Sequence, residues 1–263
     1  MIARMRSELP PRAPRRVRVK VCCIASVDEM RLAVAHGVDA VGLVSAMPSG
    51  PGPIAEERIA EIARAAPPAV ATFLLTSLQD ARAIVAQQRR CGANTVQIVD
   101  RLETGTHEEL RDAMPGVAVV QVIHVTGPES VDEAVAAAPH VSALLLDSGR
   151  PSLPVKELGG TGRVHDWAVS RAIRDAVAGV TEVFLAGGLR AENAAAAVRA
   201  VEPFGLDVCS GVRTDGRLDP ARLDAFMRAV RDAAPTAHTD GRPSPLASSS
   251  PAPSTSPLPA GLP

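Results

Sequence analysis

Aromatic side chains are nearly absent from this chain, which has four Phe, one Trp and no Tyr. Few rings are therefore available for nucleobases to stack on, and a formal net charge of −1 supplies no basic field to draw in a phosphate backbone. No nucleic-acid partner is expected. Cysteine is scarce too: four residues, two of them adjacent as Cys22 and Cys23, cannot staple a disulfide scaffold. Reduced thiols in a cytoplasmic compartment are the expectation. No apolar run is long enough to span a bilayer, so no membrane partner is expected either. The six histidines show no His-Glu-x-x-His spacing and the cysteines no Cys-x-x-Cys spacing, which leaves no metal site to expect. A Gly-x-Ser-x-Gly elbow is missing, which disfavours an α/β-hydrolase.

What the chain does have is a regular alternation of short apolar runs and helical patterns. Strand-like runs fall at Val17–Cys22, Ala40–Val44, Ala69–Leu75, Thr95–Val99, Val117–His124, Ala143–Asp147, Glu182–Ala186 and Gly205–Cys209. Eight such units in one α/β domain are the number that closes a (β/α)8 TIM barrel. Helix starts are marked by Ser26, Thr106 and Ser130, each with a glutamate three residues on that can complete a capping box. Residues 17–234 are assigned to the barrel. Residues 1–16, rich in Arg and Pro, read as a flexible leader, and 235–263, built of Pro, Ser, Ala and Thr, as a disordered tail with too little apolar surface to offset its ordering entropy.

Strand parity says where the chemical groups point. Successive side chains alternate, so Val17, Val19 and Val21 should meet the helices while Lys20 and Cys22 look into the barrel, with Cys22 nearest the rim. In the sixth strand Ala143, Leu145 and Asp147 share a face, which puts Asp147 at the inward rim as well. The carboxyl ends of barrel strands are where active sites lie. A single strand-end cysteine is usually a small buried hydrophobe and a single aspartate usually a helix cap, but glycines add weight to the pair. Gly187-Gly188 follows strand seven, Ser210-Gly211 follows strand eight, and Gly159-Gly160-Thr161-Gly162 lies after strand six. Backbone N–H groups at these positions suit the oxygens of a phosphate.

These motifs, in this order, resemble the phosphoribosylanthranilate isomerase family of tryptophan biosynthesis, from about Val17 to Val230. Lys20-Val21-Cys22-Cys23 matches the family's Lys-Ile-Cys-Gly, and Leu145-Leu146-Asp147 its strand ending in Leu-Leu-Asp. Gly159-Gly160-Thr161-Gly162 with His165-Asp166-Trp167 corresponds to Gly-Gly-Ser/Thr-Gly with Phe-Asp-Trp. Gly187-Gly188-Leu189 with Glu192-Asn193, then Asp207-Val208-Cys209-Ser210-Gly211-Val212, complete the likeness. The resemblance implies a cofactor-free Amadori rearrangement, with Asp147 as general acid, Cys22 as general base and Asp207 facing the substrate. Gly159, Gly160, Gly187, Gly188, Ser210 and Gly211 would hold the phosphate. Lys20 would favour the thiolate of Cys22. A phosphorylated small molecule is the implied partner, for a monomer or a homodimer.

The departures gather on one side. Gly52 stands where the family has an arginine for the anthranilate carboxylate, Cys23 replaces a glycine, His165 a phenylalanine, and Gln97-Ile98-Val99-Asp100 the family's Gln-Leu-His-Gly. An arginine restored at position 52 is expected to raise activity, and Arg150 or Arg163 are candidates to stand in for it. Three readings follow. The first is the isomerase itself, the second a divergent paralogue isomerising another phosphoribosyl amine, the third a non-catalytic barrel that binds a phosphorylated metabolite. A mere binder has no need of Cys22 and Asp147.

Overall fold

The structure, a computed structural model, describes residues 16–149, 153–158 and 164–233. Nearly all of the leader, the tail from residue 235, Gly159 to Gly162, Arg150 and Arg163 lie outside the described residues. Eight parallel strands pair in chain order and close on themselves, β8 with β1. They are β1 (Arg18–Val21), β2 (Ala40–Val44), β3 (Ala71–Thr76), β4 (Thr95–Ile98), β5 (Ala118–His124), β6 (Ala143–Asp147), β7 (Glu182–Leu185) and β8 (Gly205–Val208). The helices alternating with them are α1 (Val27–Ala35), α2 (Glu56–Ala65), α3 (Ala81–Cys91), α4 (His107–Ala113), α5 (Ser130–Ala137), α6 (Trp167–Ala176), α7 (Ala191–Val201) and α8 (Pro220–Ala233). This is the predicted (β/α)8 barrel, and two of its strands, β2 and β6, have the predicted bounds. Among the described residues no helix is long and apolar enough to cross a membrane.

Two apolar layers follow from the two faces of each strand. Val17, Val19 and Val21 pack outward with helix residues such as Ile59, Ile62 and Phe226, as their parity predicts. The inward faces contribute Ala40, Phe73, Leu75, Val120, Val122, Leu145 and Phe184, which fill the barrel as a second cluster that also holds Cys22. Three of the four phenylalanines stack edge-on here, Phe73 on Phe184 at 5.9 Å and Phe184 on Phe204 at 5.3 Å between centroids. The scarce rings are thus spent on plugging the barrel, where burying each contributes about 1.5–3 kcal/mol.

The caps come out as two agreements and one correction. Ser26 accepts the Glu29 N–H at 3.1 Å, and Thr106 and Glu109 form a reciprocal capping box. Ser130 does not cap α5. Glu129 occupies the cap position, and the buried Ser130 hydroxyl accepts from the Thr126 N–H at 3.1 Å and donates to the His124 carbonyl. It ties down the chain leaving β5 because it sits beneath that strand's end.

Candidate active site

Cys22, Asp147, Asp207, Gly187, Gly188 and Ser210 line one pocket at the carboxyl mouth of the barrel. Their placement follows from register. Lys20 pairs with Asp207 across β1 and β8, and the Cys22 N–H donates to the Val208 carbonyl at 2.8 Å, so the thiol emerges where β1 ends. Lys20 Nζ lies 2.8 Å from Asp207 Oδ2 with both side chains buried, and 5.2 Å from the centre of the Phe73 ring. Burial works against the Lys20 ammonium, but Asp207 outweighs it and holds the lysine pKa above its usual value. For Asp207, burial outweighs the attraction of Lys20, so its carboxyl also titrates above the ordinary range.

Gly42 on β2 makes room for this arrangement. A Cβ there would lie 3.0 Å from Cys22 Sγ and 3.1 Å from Lys20 Nζ, so the thiol and the ammonium share the space over that glycine. Asp147 ends β6, three strands from β1 around the barrel, and its Oδ1 accepts the Ser148 N–H at 2.7 Å. His165, where the family motif has phenylalanine, bonds through Nε2 to Ser170 Oγ at 2.7 Å. Burial lowers its pKa, against the opposing pull of Asp147 and Asp166. His124 serves structure: its Nε2 donates to the Val99 carbonyl at 2.9 Å.

The glycine loops after β7 and β8 form one cradle. Gly187 and Gly188 have φ of 85° and 60°, which glycine adopts without a Cβ penalty. Asn193 at the start of α7 donates to the Gly188 carbonyl at 3.0 Å and accepts the Arg190 N–H at 2.8 Å. The single turn at Ser210–Val212 packs so tightly on this loop that a Cβ on Gly211 would lie 2.0 Å from the Leu189 carbonyl oxygen. Backbone therefore meets backbone, and Gly187, Gly188 and Leu189 of one loop line the same pocket as Ser210 of the other. Of the buried polar atoms without a partner among the described residues, Asp207 Oδ1 and Gln97 Oε1 belong to residues that line the pocket. Unpaired buried oxygens of this kind cost about 1–3 kcal/mol each unless a ligand meets them.

The sequence profile of the N-(5'-phosphoribosyl)anthranilate (PRA) isomerase family matches residues 19–229. This chain belongs to the PRA isomerase family. It is 38% identical over 222 residues to the N-(5'-phosphoribosyl)anthranilate isomerase of Haloferax volcanii, covering 82% of this chain and 94% of the relative. The N-(5'-phosphoribosyl)anthranilate isomerase 2 of Methanosarcina mazei is 32% identical over 218 residues, covering 82% and 95%. Among solved structures, the Thermotoga maritima phosphoribosylanthranilate isomerase superposes with a TM-score of 0.68 at 27% identity, covering 82% of this chain and 99% of that one. A further phosphoribosylanthranilate isomerase, solved with reduced 1-(o-carboxyphenylamino)-1-deoxyribulose 5-phosphate, gives 0.66 at 25% identity, covering 82% and 99%.

Against the PRA isomerase motifs, two departures lie against each other in space. Gly52, with φ of 88°, faces Cys23, and a Cβ at position 52 would come within 2.7 Å of Cys23 Cβ and 2.8 Å of its Sγ. Cys23 itself has φ of 63°, a conformation in which glycine carries no penalty, which accounts physically for the glycine of the family motif. The Cys23 side chain fills the room beside Gly52. The expectation that an arginine alone at position 52 would raise activity therefore needs correcting: Cys23 occupies its space. The wall on this side is apolar, with Met47, Pro51, Leu75, Val99 and Leu158 lining it. Lys156 Nζ binds Asp100 at 2.5 Å and its carbonyl accepts from Ser49 at 2.6 Å, which seats residues 153–158 against the mouth.

Sequence reasoning missed a buried clamp. Arg213 donates through Nη2 to the Cys22 and Cys23 carbonyls at 3.1 and 2.6 Å, and through Nη1 to Glu29 at 3.1 Å. Burial opposes ionisation of Glu29, but the N–H groups of Leu218 and Ala25, together with Arg213, bring its pKa below the ordinary value. The clamp fixes the backbone that carries Cys22. No local pattern announces it, because its partners lie more than 180 positions apart in the chain.

Proposed function

We propose that this chain isomerises N-(5'-phosphoribosyl)anthranilate to 1-(2-carboxyphenylamino)-1-deoxyribulose 5-phosphate, with Asp147 and Cys22 as its proton carriers. The observation that carries this reading is that Cys22 and Asp147 line one pocket together with Gly187, Gly188 and Ser210. A sugar phosphate anchored by backbone donors at Gly187, Gly188, Ser210 and Gly211 extends toward the apolar wall and brings its reacting carbons between acid and base. Asp147 protonates the furanose ring oxygen, the C1'–O bond breaks, and the nitrogen lone pair forms the iminium. Cys22, as thiolate, then takes the C2' proton. The released electron pair forms the C1'=C2' bond and neutralises the iminium as an enolamine, which tautomerises to the 2'-ketone. Each positioned proton carrier contributes on the order of 10²–10⁴-fold. Asp207 accepts a substrate hydroxyl in this reading, which is supported by its having one oxygen on Lys20 and the other without a partner among the described residues.

The rearrangement is internal, so no redox equivalent enters or leaves and no cofactor is required. The complexed relative supports the choice of substrate, since its ligand is a reduced form of this product. A second reading, the same proton transfers on another phosphoribosyl amine, rests on Gly52 and the apolar wall beside it. Rescue of a tryptophan auxotroph lacking the isomerase separates the two. Growth supports the anthranilate substrate, and failure to grow with soluble protein present supports the other amine.

A further inference from the structure

Three of the four cysteines meet at this mouth. Cys209 Sγ lies 3.0 Å from Cys23 Sγ, and Cys22, the proposed base, directly precedes Cys23 in the chain. The family motifs have glycine and serine where Cys23 and Cys209 stand, and in this chain the two thiols are in contact. Neither thiol has a part in the isomerisation derived above. Both line the pocket, which gives a small oxidant a path to them. We propose that Cys23 and Cys209 are a reversible oxidation site that closes to a disulfide and lowers turnover while closed.

The chemistry balances with a two-electron oxidant such as hydrogen peroxide. The Cys209 thiol gives up its proton, the thiolate attacks one peroxide oxygen, the O–O bond breaks, and the hydroxide released takes up that proton, leaving a sulfenic acid and one water. Cys23 then attacks that sulfur, an S–S bond forms, and the hydroxyl leaves with the Cys23 proton as a second water. The pair is suited to this division. The hydrogen bond from Cys23 lowers the pKa of Cys209 despite burial, with help from Arg213, while the same contact raises that of Cys23. Closing the contact from 3.0 Å to a bond of about 2.05 Å draws the two sulfurs together by roughly 1 Å and ties their chain segments to each other. One segment carries Cys22 and the other Ser210. A displacement of that size in an active site can cost on the order of 10²-fold in rate.

The loss of turnover rests on the isomerase reading above, whereas the cross-link does not, so the experiment reads them separately. The purified full chain is treated with one equivalent of hydrogen peroxide, alkylated and digested with trypsin. The expected product is the peptide 21–31 joined to 200–213 with two hydrogens lost, kept in Cys22→Ser, absent in Cys23→Gly and Cys209→Ser, and removed by dithiothreitol. Turnover of the wild type should fall tenfold or more with cross-linking and return on reduction. No cross-link in the wild type, or one that survives in Cys23→Gly or Cys209→Ser or disappears in Cys22→Ser, overturns the site. A full cross-link at unchanged turnover overturns its effect on catalysis and leaves the isomerase reading standing.

Discussion

Exchanging the side chains at positions 23 and 52 should show strong coupling. In Gly52→Arg the new Cβ would meet Cys23 atoms at 2.7 and 2.8 Å, closer than packed carbon and sulfur tolerate, on a backbone with φ of 88°. The left-handed conformation costs a side chain about 1–2 kcal/mol, and overpacking a filled site about 1–3 kcal/mol. The single variant should therefore be destabilised by roughly 2–5 kcal/mol, and its Tm should fall by about 5–20 °C for a domain of this size. Cys23→Gly removes the atoms that clash and sits at φ of 63°, where glycine is at ease. The double variant should recover the steric share, giving a coupling of about 1–3 kcal/mol. With room made, the guanidinium can pair with a substrate carboxylate, and a charge-assisted bond of about 1.5–3 kcal/mol should raise kcat/KM on N-(5'-phosphoribosyl)anthranilate roughly ten- to a hundredfold over Cys23→Gly alone. Thermal melts and steady-state rates on the four proteins give both quantities. Additive effects on Tm would refute the contact between residues 23 and 52.

Three further outcomes follow from the same geometry. Gly42→Ala should cut turnover at least tenfold with the fold retained, because its methyl would press on both Cys22 Sγ and Lys20 Nζ; rates and circular dichroism on one preparation check this. Lys20→Met leaves Asp207 buried without its partner and should cost about 3–5 kcal/mol, most of it regained in Lys20→Met with Asp207→Leu, as denaturant melts would reveal. Glu29 has a folded pKa below its ordinary 4.5, so its contribution is present above that value and is lost as pH falls through the lower one. The stability gap between wild type and Glu29→Gln should narrow below about pH 4.5, and a gap that widens on acidification would contradict the clamp.

The barrel was legible because its two rules are local. Alternation along Val17 to Cys22 and along Ala143 to Asp147 decided which side chains enter the interior, and the structure follows it at both strands. Proximity between strand ends was not legible. The Cys23–Cys209 contact and the Arg213 clamp on Cys22 depend on β8 closing against β1, a pairing of residues far apart in sequence. Gly42 carries its meaning in the side chain it lacks, so only a neighbour's position reveals it. Ser130 misled for a related reason: its capping pattern is local, but the depth of the residue beneath β5 turned its hydroxyl to that strand's end.

The most direct test of the account is turnover of N-(5'-phosphoribosyl)anthranilate by the purified chain beside its Cys22→Ala and Asp147→Asn variants. The expected result is measurable isomerisation that falls about 10²–10⁴-fold in each variant, with circular dichroism unchanged. Near-wild-type turnover in either variant would remove that residue from the mechanism, and a well-folded wild type without turnover would contradict the anthranilate substrate.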